Sequence, residues 1–171
     1  KEMFAMLKGS GLWYMLSAFF STAQSGFFAT LLFYYTTFIL KDPAVTGLAV
    51  TINSAALFLG SLTTPFFTKY FTKKQIYIAI HIVTGIVYIA LFFFGHNTAV
   101  FLISRAVIGF VSAGQGITLP ALANDLADYK EMTGESQARG FVQSMLGIAI
   151  KIGALIATSA ASFGLVAIGY V

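Results

Sequence analysis

The chain has 171 residues, of which 58% are hydrophobic and 9% charged, with a mean hydropathy of +0.85. Its apolar residues fall in blocks long enough to cross a hydrocarbon core of ~30 Å, which excludes a soluble domain and defines an all-α membrane protein, a polytopic helix bundle. The net charge of +4 resides in lysines between those blocks and reports topology rather than nucleic-acid binding, and the absence of cysteine excludes disulfides, zinc thiolate sites and thiol catalysis.

The chain opens KEMFAMLK, with neither an initiator Met nor a cleavable signal pattern, and is expected to be part of a longer polypeptide. Breaks between apolar runs predict five spans. The first covers about 12–40; it is long for one crossing, so it is expected to be tilted or loosened around Ser21 to Gly26, and it ends at Lys41, Asp42 and Pro43. The second covers about 44–67, with Pro65 near its end and Lys69, Lys73 and Lys74 beyond it. The third, about 76–95, and the fourth, about 98–122, are joined by a short turn at His96 and Asn97, and the fifth occupies about 140–167.

Outside the spans, Lys1, Lys8, Lys69, Lys73, Lys74, Lys130 and Arg139 fall on one side and Lys41 alone on the other. The positive-inside rule therefore predicts a cytoplasmic N-terminus and an external Val171. Trp13, Tyr14, Tyr70 and Tyr77 near the inner interface and Phe92 to Phe94 near the outer one fit the same frame. The odd number of spans suggests that at least one further helix belongs to the bundle.

The fifth span carries a lysine in its middle. Counted from Arg139 at ~1.5 Å per residue, Lys151 lies about 18 Å into the segment, too deep to snorkel easily to either surface. A cation there costs at least ~2.5–3.5 kcal/mol on insertion scales, so Lys151 is expected to face a bundle interior or an aqueous cavity with a partner. Ser144, Gly147, Lys151, Ala154, Thr158 and Ser162 recur at helical spacing and form one stripe. Small residues alone would suit a packing seam between membrane helices; with the lysine among them the stripe reads as the lining of a substrate pathway.

On the fourth span Arg105 lies ~12 Å in from the outer turn, on a stripe with Gly109, Ser112 and Gly116. Substrate contact or gating and outward snorkelling are both open for it. Weaker stripes are Ser17, Ser21, Gln24 and Phe28 on the first span and Asn53, Ala56, Gly60 and Thr64 on the second, where interhelical hydrogen bonds are the simpler reading of each polar residue. His81 is expected to be a hydrogen-bonded structural residue, and no metal site is expected. Asp125 and Asp128 share a helical face at the cytoplasmic end of the fourth span, where the helix dipole disfavours carboxylates. Lys130 and Arg139 are the cations at hand to compensate, and the group reads either as a cytoplasmic gate or as a solvated turn.

These residues carry a resemblance. Pro120, Asp125, Asp128, Tyr129 and Glu131, then a short charged loop, then Lys151 and Gly153, resemble the glycoside–pentoside–hexuronide:cation symporters, the melibiose-permease-like branch of the major facilitator superfamily. The run Leu32-Phe33-Tyr34-Tyr35 and the lysine loop after Pro65 are similar to that family as well. The resemblance implies that residues 1–171 form a partial C-terminal bundle, the seventh to eleventh of twelve helices. It implies that Lys151 lies near the cation and sugar sites, and that Asp125 and Asp128, with Arg139 beside them, belong to a cytoplasmic gating network; Ser144, Gly147 and Thr158, from their spacing around the lysine, and Arg105, from its depth, are the further pathway candidates. Arg139, where relatives often carry glutamate, and Leu146 and Gly147, where polar residues can occur, depart from the pattern.

The expectation is thus a multi-pass cell-membrane protein, not an enzyme. It would carry a glycoside or related sugar with Na⁺ or H⁺ by alternating access, with no cofactor beyond the coupling cation. Its partners would be the sugar, membrane lipid and the N-terminal bundle of the same transporter, with no nucleic acid. A major facilitator exporter of drugs or metabolites, and a non-transporting structural or interaction fragment, are the alternatives.

Overall fold

The computed structural model describes residues 10–133 and 138–169. Lys1, Lys8 and Val171, which entered the charge balance and the topology, lie outside the described residues. Five α-helices follow one another: α1 Ser10–Tyr34, α2 Ala44–Tyr70, α3 Lys73–Phe94, α4 Thr98–Met132 and α5 Ala138–Ile168. Each is long and apolar enough to cross a membrane. Among the described residues no strand forms. Backbone polar groups in hydrocarbon must be satisfied within their own segment, and the helix does this.

The long first span is explained at a place other than the one expected. Around Ser21 to Gly26 α1 is an uninterrupted α-helix, and the hydroxyls of Thr22, Ser25 and Thr30 are satisfied by the carbonyls of Ala18, Ser21 and Gly26 in their own helix. The irregularity comes later, at a π-helical turn over Tyr35–Ile39, where the Leu40 N–H reaches the Tyr35 carbonyl at 3.1 Å. An inserted residue of this kind re-aims the side chains around it. Lys41 then takes φ of 57°, and the Asp42 carboxylate accepts from the Ala44 N–H at 3.0 Å to start α2.

The next turns are set by caps. The Thr72 hydroxyl accepts from the Gln75 N–H while the Gln75 side chain accepts from the Thr72 N–H, a capping box that starts α3 at Lys73, earlier than the apolar run suggests. The Asn97 side chain accepts from Ala99 N–H at 2.8 Å and so starts α4. Beyond Leu122, where hydropathy falls, α4 continues through Ala123 and Ala127 to Met132, so Asp125 and Asp128 stand on the helix itself rather than in a loop.

Two compact units are distinguished: Lys1–Leu32 with Ala123–Val171, and Phe33–Leu122. In Phe33–Leu122, α2 and α4 touch through glycines. A Cβ on Gly109 would strike the Asn53 carbonyl, and one on Gly60 the Phe110 carbonyl and, at 2.9 Å, the Ala113 methyl. Small residues at these points let two membrane helices approach backbone to backbone. The π-helical turn places Tyr35 against Phe101, with ring centroids 5.0 Å apart, and Phe101 is fully buried. In the other unit, Gly153 of α5 lies against α1, where a Cβ would come within 2.6 Å of the Phe19 carbonyl, and Gly26 meets Ala154 and Ala157.

Candidate functional site

The face that α5 uses for packing decides where its lysine goes. At ~100° per residue, the buried Val142, Leu146, Ala149, Gly153 and Ala157 fall on one side of α5. Exposed Ile148, Ile152, Leu155, Ile156 and Phe163 fall on another side. Between the two lies the stripe of Ser144, Gly147, Lys151, Thr158 and Ser162, with Ser144, Lys151, Thr158 and Ser162 exposed and Gly147 half-buried. The helix therefore has a packing face, an apolar outer face and a narrow polar face, and the lysine stands in the middle of the third.

Of the two settings expected for Lys151, a bundle interior or an aqueous cavity with a partner, the interior of its own unit is not the one it takes. Among the described residues no hydrogen bond or ion pair engages its ammonium. The packing face is filled by small residues against α1, which leaves no room there for a long cation. The hydroxyls of Ser144 and Thr158 donate to the Gly140 and Ala154 carbonyls of their own helix at 2.8 and 2.9 Å, so the stripe is locally satisfied while its surface stays open.

Arg105 has the opposite setting. It is 9% exposed, and its Nη2 donates to the Asn53 Oδ1 of α2 at 2.9 Å, with the Tyr88 phenol of α3 nearby. The guanidinium is thus used to join helices of the Phe33–Leu122 unit rather than to snorkel outward. It belongs to a different unit from Lys151, Gly147, Ser144 and Thr158. His81 is held by its own helix: Nδ1 donates to the Tyr77 carbonyl at 2.8 Å and the two rings lie 4.5 Å apart.

At the end of α4 the structure brings Asp128 and Arg139 into an ion pair, their side chains 55% and 60% exposed. One turn deeper, Gln143 Nε2 donates to Asn124 Oδ1 at 2.8 Å. These are matching i, i+4 pairs on two antiparallel segments, so 124 and 128 of α4 form a two-rung ladder with 143 and 139 of α5. Arg139, rather than Lys130, is the cation on Asp128, and it feels Glu131 as well. Asp125 is exposed on α4 and takes part in interactions of its own. Asn124 and Gln143 were missed in the sequence; their signal is the polar i, i+4 spacing on both sides of the charged loop.

Five apolar helices and close small-residue contacts define a multi-pass membrane protein, a helical bundle. The chain belongs to the MFS/sugar transport protein family, whose model matches residues 5–171. That is a family of transporters, not enzymes. The chain is also 30% identical, over 138 residues and 81% of its length, to a protein of Escherichia coli (strain K12) that carries the provisional name sulfoquinovose importer. The match spans 30% of that relative's own length. No solved structure matches the chain.

Proposed function

We propose that this chain forms most of the C-terminal bundle of a twelve-helix secondary transporter that carries a glycoside or related sugar together with Na⁺ or H⁺. The observation that carries this reading is the family match over residues 5–171, joined to an exposed lysine at mid-depth on a stripe of small polar side chains. A cation in hydrocarbon is costly, and a water-filled pathway against a second bundle is the setting that removes the cost. In this reading Lys151 acts on the midplane site electrostatically, with Ser144, Gly147 and Thr158 alongside it. Arg105 stiffens the bundle around the pathway rather than touching substrate.

Transport proceeds by alternating access, in which the two bundles rock about the site. The Asp128–Arg139 pair and Asp125 stand where the inner side closes, and Asn124 and Gln143 support them. Charge reversal at Asp128 is expected to shift the balance between inward-open and outward-open states, read by site-directed labelling of the two faces; unchanged labelling would contradict the gate. The N-terminus of the chain is cytoplasmic by its lysine distribution.

The test is uptake by vesicles containing the full-length protein, under a sodium gradient and then under a proton gradient alone. Two labelled substrates are compared, an α-galactoside and a sulfo-sugar; the second follows from the relative's name and from the complement that a fixed ammonium offers to a sulfonate. Gradient-stimulated uptake of either is the expected result. Export of amphipathic drugs with no sugar stimulation would replace this reading with that of an exporter.

A further inference from the structure

In the Phe33–Leu122 unit the side chain of Asn53 is held in one orientation from behind. Counted from Ala44 at ~1.5 Å per residue, position 53 lies about 14 Å along α2, near the middle of a ~30 Å hydrocarbon core. Its main chain is fixed against α4, since a Cβ on Gly109 would strike the Asn53 backbone carbonyl. Its side-chain Oδ1 accepts from Nη2 of the buried Arg105 at 2.9 Å. A guanidinium has only donors, so the amide must turn its oxygen toward Arg105 and its nitrogen away.

Nδ2 carries two N–H groups, and among the described residues neither is taken up. Asn53 is half-buried and Nδ2 is not enclosed, so these donors are open to an incoming group. The hydroxyls of Thr51, Ser61, Thr63 and Thr64 on the same helix donate to carbonyls of α2 itself; the Asn53 amide does not. Amide donors left bare in hydrocarbon are costly, and the charged hydrogen bond on Oδ1 polarises them further. An oriented pair of N–H donors at mid-depth is complementary to an oxygen acceptor that arrives and leaves. A sugar presents such acceptors in its hydroxyl oxygens.

We propose that Asn53 contacts the carried substrate, its Nδ2 donating to a hydroxyl oxygen of the sugar, and that Arg105 is the positioning residue that turns the amide toward it. This inference rests on the transport reading and adds to it a contact from α2, in the unit that does not contain Lys151.

The test is uptake of the labelled α-galactoside and sulfo-sugar by vesicles holding the full-length protein, with unfolding temperature read on the same samples. Asn53→Asp separates the two uses of the side chain. Its carboxylate keeps an oxygen on Arg105, so a residue that only joined helices would leave KM unchanged. The expected result is a KM raised about tenfold with the unfolding temperature retained, because lone pairs replace the two donors. Arg105→Lys keeps a donor for Oδ1 and is expected to stay within about threefold of the wild-type KM, where Arg105→Met raises it about tenfold. In the Asn53→Cys variant a small hydrophilic thiol reagent is expected to label position 53, and saturating sugar to protect it.

A wild-type KM in Asn53→Asp would overturn the proposal. So would a thiol at position 53 that does not react, or that cross-links to another helix, which would assign the amide to a helix partner. Wild-type uptake of a sugar that gives no protection at position 53 removes this contact alone, whereas no uptake of either sugar by the wild type removes the transport reading and the contact with it.

Discussion

Two cations lie deep in the spans, and their surroundings are opposite. Arg105 is buried, with Asn53 on its Nη2 and the Tyr88 phenol nearby, and its neighbours Gly109 and Gly60 let α2 and α4 come together around it. Lys151 is exposed on a stripe of small polar residues and engages none of the described side chains, while the opposite side of its helix does the packing. A charge that its own bundle has enclosed is part of the architecture. A charge left open at mid-depth calls for something outside the described residues: water, a substrate or a second bundle. The residue types and depths are similar, so the difference lies in which helical face each occupies.

That contrast can be broken by a graded series of substitutions read in one assay, thermal unfolding of the purified full-length protein. The largest loss is expected for Gly109→Leu, whose side chain would have to occupy the space of the Asn53 carbonyl; overpacking costs ~1–3 kcal/mol, and more where backbone rather than side chain must move. Arg105→Ala comes next, at about 1.5–3 kcal/mol, because it removes a charged hydrogen bond and takes the Asn53 amide's partner away. Asn53→Leu combined with Arg105→Met is expected to recover part of that loss, since the Asn53 amide is then no longer left without its partner.

Asp128→Ala is expected to cost no more than ~1 kcal/mol, with the loss smaller at high salt, because the pair with Arg139 is more than half exposed. Lys151→Ala closes the series at less than about 0.5 kcal/mol. A Lys151 variant that unfolds as readily as the Arg105 variant would abolish the distinction between the two cations.

The sequence made the helices legible because hydropathy and helix coincide for most of their length, and it misplaced ends where they part. α4 outlasts its apolar run because Ala123, Leu126 and Ala127 favour helix as much as the residues before them, although Asn124, Asp125 and Asp128 lower the hydropathy. α3 starts at Lys73 through the Thr72–Gln75 box, a signal present in the sequence. The π-helical turn at Tyr35–Ile39 had no such signal: its residues are as apolar as the helix before them, and the contact that it sets up, Tyr35 on Phe101, is distant in the chain. For the site, the stripe around Lys151 was legible from spacing alone. Its outward direction was not, because it follows from Gly153 and Ala157 claiming the contact with α1. The Asn53–Arg105 bond joins residues far apart in the chain, and no local pattern announces it.

The most direct test of the account is gradient-driven sugar uptake by vesicles holding the full-length protein, wild type beside Lys151→Ala, at matched protein levels and matched thermal stability. The expected result is loss of cation-stimulated uptake in the variant with expression and unfolding temperature unchanged, as befits a side chain that the fold does not use. Cation-coupled uptake at the wild-type rate would contradict it and remove Lys151 from the pathway.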